Sequence, residues 1–263
     1  MKILVCIKQI PEHMELLQIN SQETGIHIPD NMKYRMNRFD EHAVEAAIKL
    51  KEQIENTIVD IITVAPEFSS AIVKRAMGMG ADNGFIIPVD SKSYYSPSMI
   101  SSLLASFAKN KQYHLILTGI MSEDEMNAQT GQMLAARLDI AAISGVVGIQ
   151  FIDDILHIER EREGGIRELL HIKMDDSQTI LLTIQAGINK PRYPSLSSLL
   201  KANAREITLF KDNEIGSPKK NNDLSIIGIK KAEKLRQGQY LEGTIEEKAR
   251  QFIDIMKERN FLV

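Results

Sequence analysis

Four short, mainly apolar runs punctuate the first half of the chain, at residues 3–7, 59–64, 84–89 and 114–118, each with the character of a strand buried on both faces. Stretches of helical spacing lie between and after them. The first runs on from Asn37 and turns Ala43, Val44, Ala47 and Ile48 inward, and the second carries Ile72, Val73, Ala76 and Met77. The third carries Ile100, Leu103, Leu104 and Phe107, and the fourth Met133, Leu134 and Leu138. Asn37 is placed as N-cap of the first helix with Asp40 three residues on, in the manner of a capping box, and Gly78 and Gly80 are placed at the end of the second. Alternation of buried strands with helices predicts right-handed crossovers, and so an α/β fold with a doubly wound, mostly parallel sheet.

The pattern changes after Ala141. Residues 156–163 and 166–174 read as two strands around a two-residue hairpin turn at Gly164-Gly165, an antiparallel addition whose charges at 159–163 form a solvated face with cross-strand pairs. Another buried strand follows at 180–184. It runs into residues 187–194, which Pro191 and Pro194 make rigid, and then into a short helix opened by Leu196 and continued through Leu199 and Leu200. Residues 12–35, with Gly25 and Pro29, suggest a small excursion built on a hairpin. Residues 216–222 read as linker, which divides the chain into a domain of residues 1–210 and an arm of residues 211–263. In that arm Thr244 and Glu247 form a capping box, and Ile245, Ala249, Phe252, Ile253 and Met256 line one apolar face that needs something to lie against.

The ligand crevice follows from topology, since ligands in open α/β sheets sit outside the carboxyl ends of the strands. Residues 114–138 hold the best example: a strand, an acidic loop, and Gln129-Thr130-Gly131 at a helix start. A phosphate there and a plain helix cap at Thr130 are both compatible with the spacing. Glu123, Asp124 and Glu125 are taken as solvated loop charge, because adjacent residues seldom converge on one cation. No glycine-rich phosphate loop and no Ser/His/Asp constellation is present.

Composition narrows the partners. In 263 residues, 32 Lys and Arg stand against 35 Asp and Glu, a net charge of −3 that disfavours nucleic acid. The single cysteine, Cys6, excludes a disulfide framework and fits a buried thiol in a reducing compartment. The first strand starts almost at once, leaving no room for a signal peptide, and no apolar run approaches a membrane span, so no direct membrane insertion and a cytoplasmic location are expected.

Four blocks carry a resemblance: ILVCIKQ at residues 3–9, MNRFDEHAVEAAIKLKE at 36–52, QTGQM at 129–133 and NKPRYPSL at 189–196. Together, and over nearly the whole length, the chain resembles the beta subunit of an electron transfer flavoprotein. Its tail, EGTIEEKARQFIDIM, is similar to the bacterial subgroup linked to trimethylamine dehydrogenase. The resemblance implies an adenine-nucleotide-hydrolase-like domain with an antiparallel addition and a C-terminal helical arm. It implies a heterodimer with an alpha subunit that holds most of the FAD, an electron carrier that is no catalyst alone, and a flavin-dependent dehydrogenase as donor. AMP contacts fall on Cys6, Asn37, Asp40, Val64, Gly119, Ser122, Glu125, Gln129 and Thr130. Phe39 joins the cofactor-binding set, and His13 falls where the family sets an aromatic residue against the flavin ring edge. Tyr193 and Leu196 fall at the docking surface, where the family's leucine anchors the dehydrogenase. Relatives that split electron pairs hold a second FAD in this subunit, bedded on a glycine-aspartate-threonine loop. Here Met126 to Thr130 lacks that glycine, which with the charge at 123–125 predicts one FAD per heterodimer and AMP or nothing in the crevice. The alternatives are a nucleotide-hydrolysing enzyme of the same fold, a bifurcating flavoprotein, and a structural subunit with an empty crevice.

Overall fold

In the computed structural model every residue is described except 21–24, 92, 176–177, 211–225, 232–237, 260 and 262–263. The linker expected at 216–222 lies outside the described residues. In chain order the elements are β1 (Lys2–Cys6), β2 (Gln9–Pro11), β3 (Gln18–Ile19), β4 (Ile26–His27), β5 (Tyr34–Met36), α1 (Arg38–Gln53), β6 (Ile58–Ala65), α2 (Ser70–Met79), β7 (Asn83–Pro88) and α3 (Pro97–Ala108). They continue with β8 (Leu115–Gly119), α4 (Thr130–Leu138), β9 (Ala141–Ile152), β10 (Ile155–Glu161), β11 (Arg167–Lys173), β12 (Ile180–Ile184), α5 (Leu196–Ala204), β13 (Thr208–Leu209) and α6 (Ile245–Glu258). The chain divides into two compact units, Met1–Gln18 with His27–Ser225, and Ile19–Ile26 with Ile226–Val263.

A nine-stranded sheet in the order β11-β10-β9-β12-β8-β1-β6-β7-β13 forms the centre of the first unit. It is parallel from β9 to β13, and β10 and β11 add antiparallel at one edge. Side chains of alternate strand residues point to opposite faces, which sorts the core into two clusters. Ile3, Val5, Val59, Ile61, Leu115 and Leu117 pack with α1 and α2 residues such as Val44, Ala47 and Val73. Leu4, Cys6, Ile62 and Ile116 pack with Leu103, Leu104 and Phe107 of α3 and Leu134 of α4. Helices therefore cover both faces, as the alternation predicts. Each fully buried aliphatic side chain in these layers stabilises the fold by about 1.5–3 kcal/mol. From β1 the chain steps outward to β6 and β7, then returns to the other side of β1 at β8. The switch point, and with it the crevice, lies between the carboxyl ends of β1 and β8.

Three sequence expectations change. The twelve-residue strand β9 is absent from the sequence reading because small residues break its apolar pattern: Gly145 stands at φ 71°, and a Cβ there would meet the Glu161 carbonyl oxygen at 2.9 Å. Pairing of β9 with β12 and β10 shifts register near this point, so the glycine serves a bulge. Helix α2 runs through Gly78 and stops only at Gly80, whose φ is 132°. At Gly78 a side chain would meet Leu199 Cδ2 at 2.9 Å and Pro194 Cβ at 3.2 Å, so this glycine admits α5 rather than ending a helix. In the β10–β11 hairpin Glu163, Gly164 and Gly165 make the turn, closed by Arg162 N–H donating to Ile166 O (2.8 Å), and it is longer than two residues. The expected cross-strand pairs are present, Arg160 with Glu168 (2.6 Å) and Arg167 with Glu159 (2.9 Å). The excursion over residues 12–35 contains the β3–β4 pair and returns through β5, which pairs with β2.

In the second unit α6 begins with the capping box read from the sequence. Thr244 Oγ1 accepts from Glu247 N (3.3 Å), and Glu247 Oε2 accepts from Thr244 N (2.8 Å). None of its described side chains is buried: Ile245 is 83 %, Phe252 53 % and Ile253 43 % exposed.

Candidate functional site

Asp40, near the start of α1, ties the switch point together. Its Oδ2 accepts from Lys8 N (2.7 Å), just past β1, and its Oδ1 from Gly119 N (3.0 Å), the last residue of β8. The carboxyl is nearly buried, and burial pushes it up to about 7, against the pull of those two N–H groups, the Asn37 side chain and the Lys8 charge. Only glycine fits at 119, because a Cβ would run into Asp40 Oδ1 and sit 2.7 Å from Phe39 Cβ. The capping box expected of Asn37 and Asp40 is not made. Asn37 occupies the N-cap position without a side-chain cap bond; instead its Nδ2 donates to Met121 O (2.9 Å) and its Oδ1 accepts from Glu123 N (3.1 Å). Both residues clamp the crevice rather than the helix. Cys6, the last residue of β1, is buried, and burial together with the Asp40 charge pushes its thiol far up, so it stays neutral and inert.

The acidic loop is not solvated charge. Lys8 Nζ reaches Asp124 Oδ1 (2.9 Å), Ser122 Oγ (3.3 Å) and Glu125 Oε1 (3.3 Å). Glu123 accepts from Arg35 Nη1 (2.8 Å) and from Arg38 N (3.1 Å). Partial burial would raise the Glu123 carboxyl, yet the Arg35 hydrogen bond, the Arg38 N–H and both guanidinium charges hold it below its ordinary value. Local cations therefore offset much of the negative charge that would repel a phosphate. The network also fixes an uncommon backbone, with Met126 at φ 54° and Ala128 at φ 52°, conformations that cost roughly 1–2 kcal/mol each for L residues. Tyr94, missed in the sequence reading, stands at the same place: partial burial and the Glu125 charge push its phenol up, opposed by Lys8. The signal available for it was an aromatic pair, Tyr94-Tyr95, in the otherwise polar loop after β7. Lys8 and Arg35 were missed as well, and nothing in their local sequence marks them.

Gln129 precedes α4 and Thr130 opens it, with no side-chain cap, so Thr130 does not have the capping role left open for it. The first-turn N–H groups of a helix lack intrahelical partners and suit an anion. Gly131 brings this start hard against the sheet, since a Cβ there would lie 2.8 Å from both Thr118 Oγ1 and Thr183 Cγ2. Phe39, Asp40 and Gly119 meet directly, Ser122 joins them through Lys8 and Asn37 grips the loop at 121–123, while Cys6 is buried at the end of β1, Val64 is half-buried near the end of β6, and Glu125 and Gln129 are exposed. These residues suit a nucleotide monophosphate: an uncapped helix start, an acidic loop already paired, and glycine where backbone must approach closely. His13 stands apart from these bonds, half exposed after β2, its Nδ1 3.1 Å from Glu15 Oε1. Among the described residues no group of three or more His, Cys, Asp or Glu could hold a metal ion, and no helix is long and apolar enough to cross a membrane.

A second surface is built by residues 187–200. Asn189 Nδ2 donates to His42 O (2.9 Å), and His42 Nδ1 lies 3.0 Å from Asn189 Oδ1. Arg192 bonds Glu45 through Nε (2.9 Å), and Glu52 through Nη1 (2.6 Å). The two prolines thus supply only part of the rigidity, and side chains gripping α1 supply the rest. Ser195 caps α5 by accepting from Ser198 N (3.1 Å). Tyr193 is 84 % and Leu196 75 % exposed, with Arg75 over the Tyr193 ring, whereas Leu199 packs against α2 at Gly78.

Comparison with known proteins points in one direction. A family model described as the electron transfer flavoprotein domain matches residues 26–214. The chain is 28% identical over 246 residues to the electron transfer flavoprotein subunit beta of Homo sapiens, covering 93% of this chain and 94% of that one. It is 29% identical over 267 residues to the protein of the same name from Bacillus subtilis (strain 168), covering 98% of each. Against that from Bradyrhizobium diazoefficiens it is 30% identical over 207 residues, covering 79% and 80%.

Proposed function

The chain belongs to the electron transfer flavoprotein family, and from that premise we propose that it is the beta subunit of a heterodimeric electron carrier. Its partner is an alpha subunit that holds most of the FAD, its donor is a flavin-dependent dehydrogenase, and it works in the cytoplasm without being a catalyst alone. Residues 1–210 form the nucleotide-binding domain, and residues 211–263 the arm that lies on the partner subunit.

The crevice at the β1–β8 switch point carries this reading. Gln129, Thr130 and the uncapped start of α4 would take the AMP phosphate, with Cys6, Asn37, Asp40, Val64, Gly119, Ser122 and Glu125 around the nucleotide. Bound there, AMP would contribute packing and charge, and no redox chemistry. Phe39 and His13 belong to the cofactor-facing side. Acid extraction of the co-expressed heterodimer followed by chromatography tests the reading. The expected yield is one FAD and one AMP per heterodimer. Two flavins and no AMP would make the protein a bifurcating flavoprotein and defeat it.

His13 carries its own expectation. Replacing it by alanine should shift the flavin absorbance band or the potential of the heterodimer, because an imidazole at the ring edge alters the local field. An identical spectrum and potential would return His13 to the surface.

A further inference from the structure

The stretch before α5 has neither helix nor strand from residue 185 to 195, yet it is gripped more firmly than its backbone suggests. Arg192 makes five hydrogen bonds to two carboxylates: its N–H (3.1 Å), Nε (2.9 Å) and Nη2 (3.1 Å) go to Glu45, and Nη1 (2.6 Å) and Nη2 (3.1 Å) to Glu52. Glu45 and Glu52 stand two turns apart on one face of α1, a spacing the guanidinium fork spans and a lysine point charge does not. The Glu45 side chain is only 3 % exposed, and the bonds to both carboxylates, Glu52 first, push the Arg192 guanidinium further up. At the far end of α5, Lys74 Nζ donates to the carbonyls of Ala202 (3.1 Å), Asn203 (3.3 Å) and Arg205. An irregular segment that exposes Tyr193 and leads into the exposed Leu196 is therefore fastened to α1 before α5, and α5 is fastened to α2 at its end.

We propose that Arg192 is a positioning residue, which holds Tyr193 and Leu196 in one geometry so that the electron-donating dehydrogenase meets a pre-formed surface. The inference rests on the reading of those two residues as the docking positions. Pre-forming a surface spares the ordering cost that association otherwise carries, so its loss acts on affinity and not on the flavin. Arg192→Ala in the holo-heterodimer should speed amide exchange at residues 193–199 at least about tenfold, the effect of losing a charged hydrogen-bonded contact. With a flavin dehydrogenase that reduces the wild type, the KM for this protein should rise at least about tenfold with kcat unchanged. Arg192→Lys should fall between. The pair Glu45→Gln with Arg192→Met removes the clamp without leaving a buried charge, and should behave like Arg192→Ala if the latter folds poorly. Leu196→Ala in parallel separates the two claims. If Leu196→Ala raises KM while neither clamp variant changes exchange or KM, the positioning role is wrong and the docking surface stands. If Leu196→Ala leaves KM unchanged, the docking reading fails and takes the inference with it.

Discussion

Removing residues 239–263 should leave a folded α/β unit that no longer holds its partner subunit. Helix α6 spans Ile245–Glu258, and Ile245, Phe252 and Ile253 along it are exposed. An isolated helix of that length is marginal in water even with a good capping box, so the arm needs an apolar surface to justify its sequence. Covering three such side chains contributes about 1.5–3 kcal/mol each before the cost of ordering the arm. After that cost, and because Phe252 and Ile253 are already partly covered, a loss of about a hundredfold in affinity is expected, at about 1.4 kcal/mol per tenfold. Size exclusion of the co-expressed truncation at micromolar concentration should show two separate subunits. The double variant Phe252→Asp with Ile253→Asp, which keeps the chain length, should do the same. An unchanged heterodimer in both would place the interface elsewhere.

How much of this was legible in the sequence depended on how far apart the responsible residues lie. Strands β1, β6, β7, β8 and β12 announce themselves because burial on both faces leaves nearly unbroken apolar runs, and from their alternation with helices the crevice can be placed without coordinates. Strand β9 does not, because Ser144, Gly145 and Gly148 give it the composition of a loop. Gly78 reads as a helix stop until α5 is seen to land on it. The acidic loop reads as solvated charge for the same reason: the cation that pairs Asp124 is Lys8, 116 residues away, and the partner of Glu123 is Arg35. Local rules find Asn37 at the start of α1, but its side chain is claimed by Met121 and Glu123 of a distant loop. Sequence marked the strand ends and loops at the switch point and left their bonding to the fold.

Asp40 is where pH should act on this fold most strongly. Its carboxyl sits at about 7 when folded, against an ordinary 3.8. Below pH 3.8 it is protonated in both the folded and unfolded chain, and its contribution to stability is whole. As pH rises towards 7 the unfolded chain ionises first, so that contribution is progressively lost, and above the folded value the loss stops growing. Between pH 5 and pH 7 the loss is roughly 2 kcal/mol, less than two full units at about 1.4 kcal/mol each because the folded group is itself half ionised at 7. Asp40→Asn removes the titration. Its carboxamide has one oxygen for two donors, so either Lys8 N or Gly119 N must face an NH2 group, at a cost that does not vary with pH. Urea unfolding of both proteins at pH 5, 6, 7 and 8 separates the two effects. The variant should gain on the wild type by about 2 kcal/mol from pH 5 to 7 and gain little more by pH 8. A constant gap across the series would mean that Asp40 is charged throughout, with the Lys8 and Gly119 N–H groups outweighing its burial.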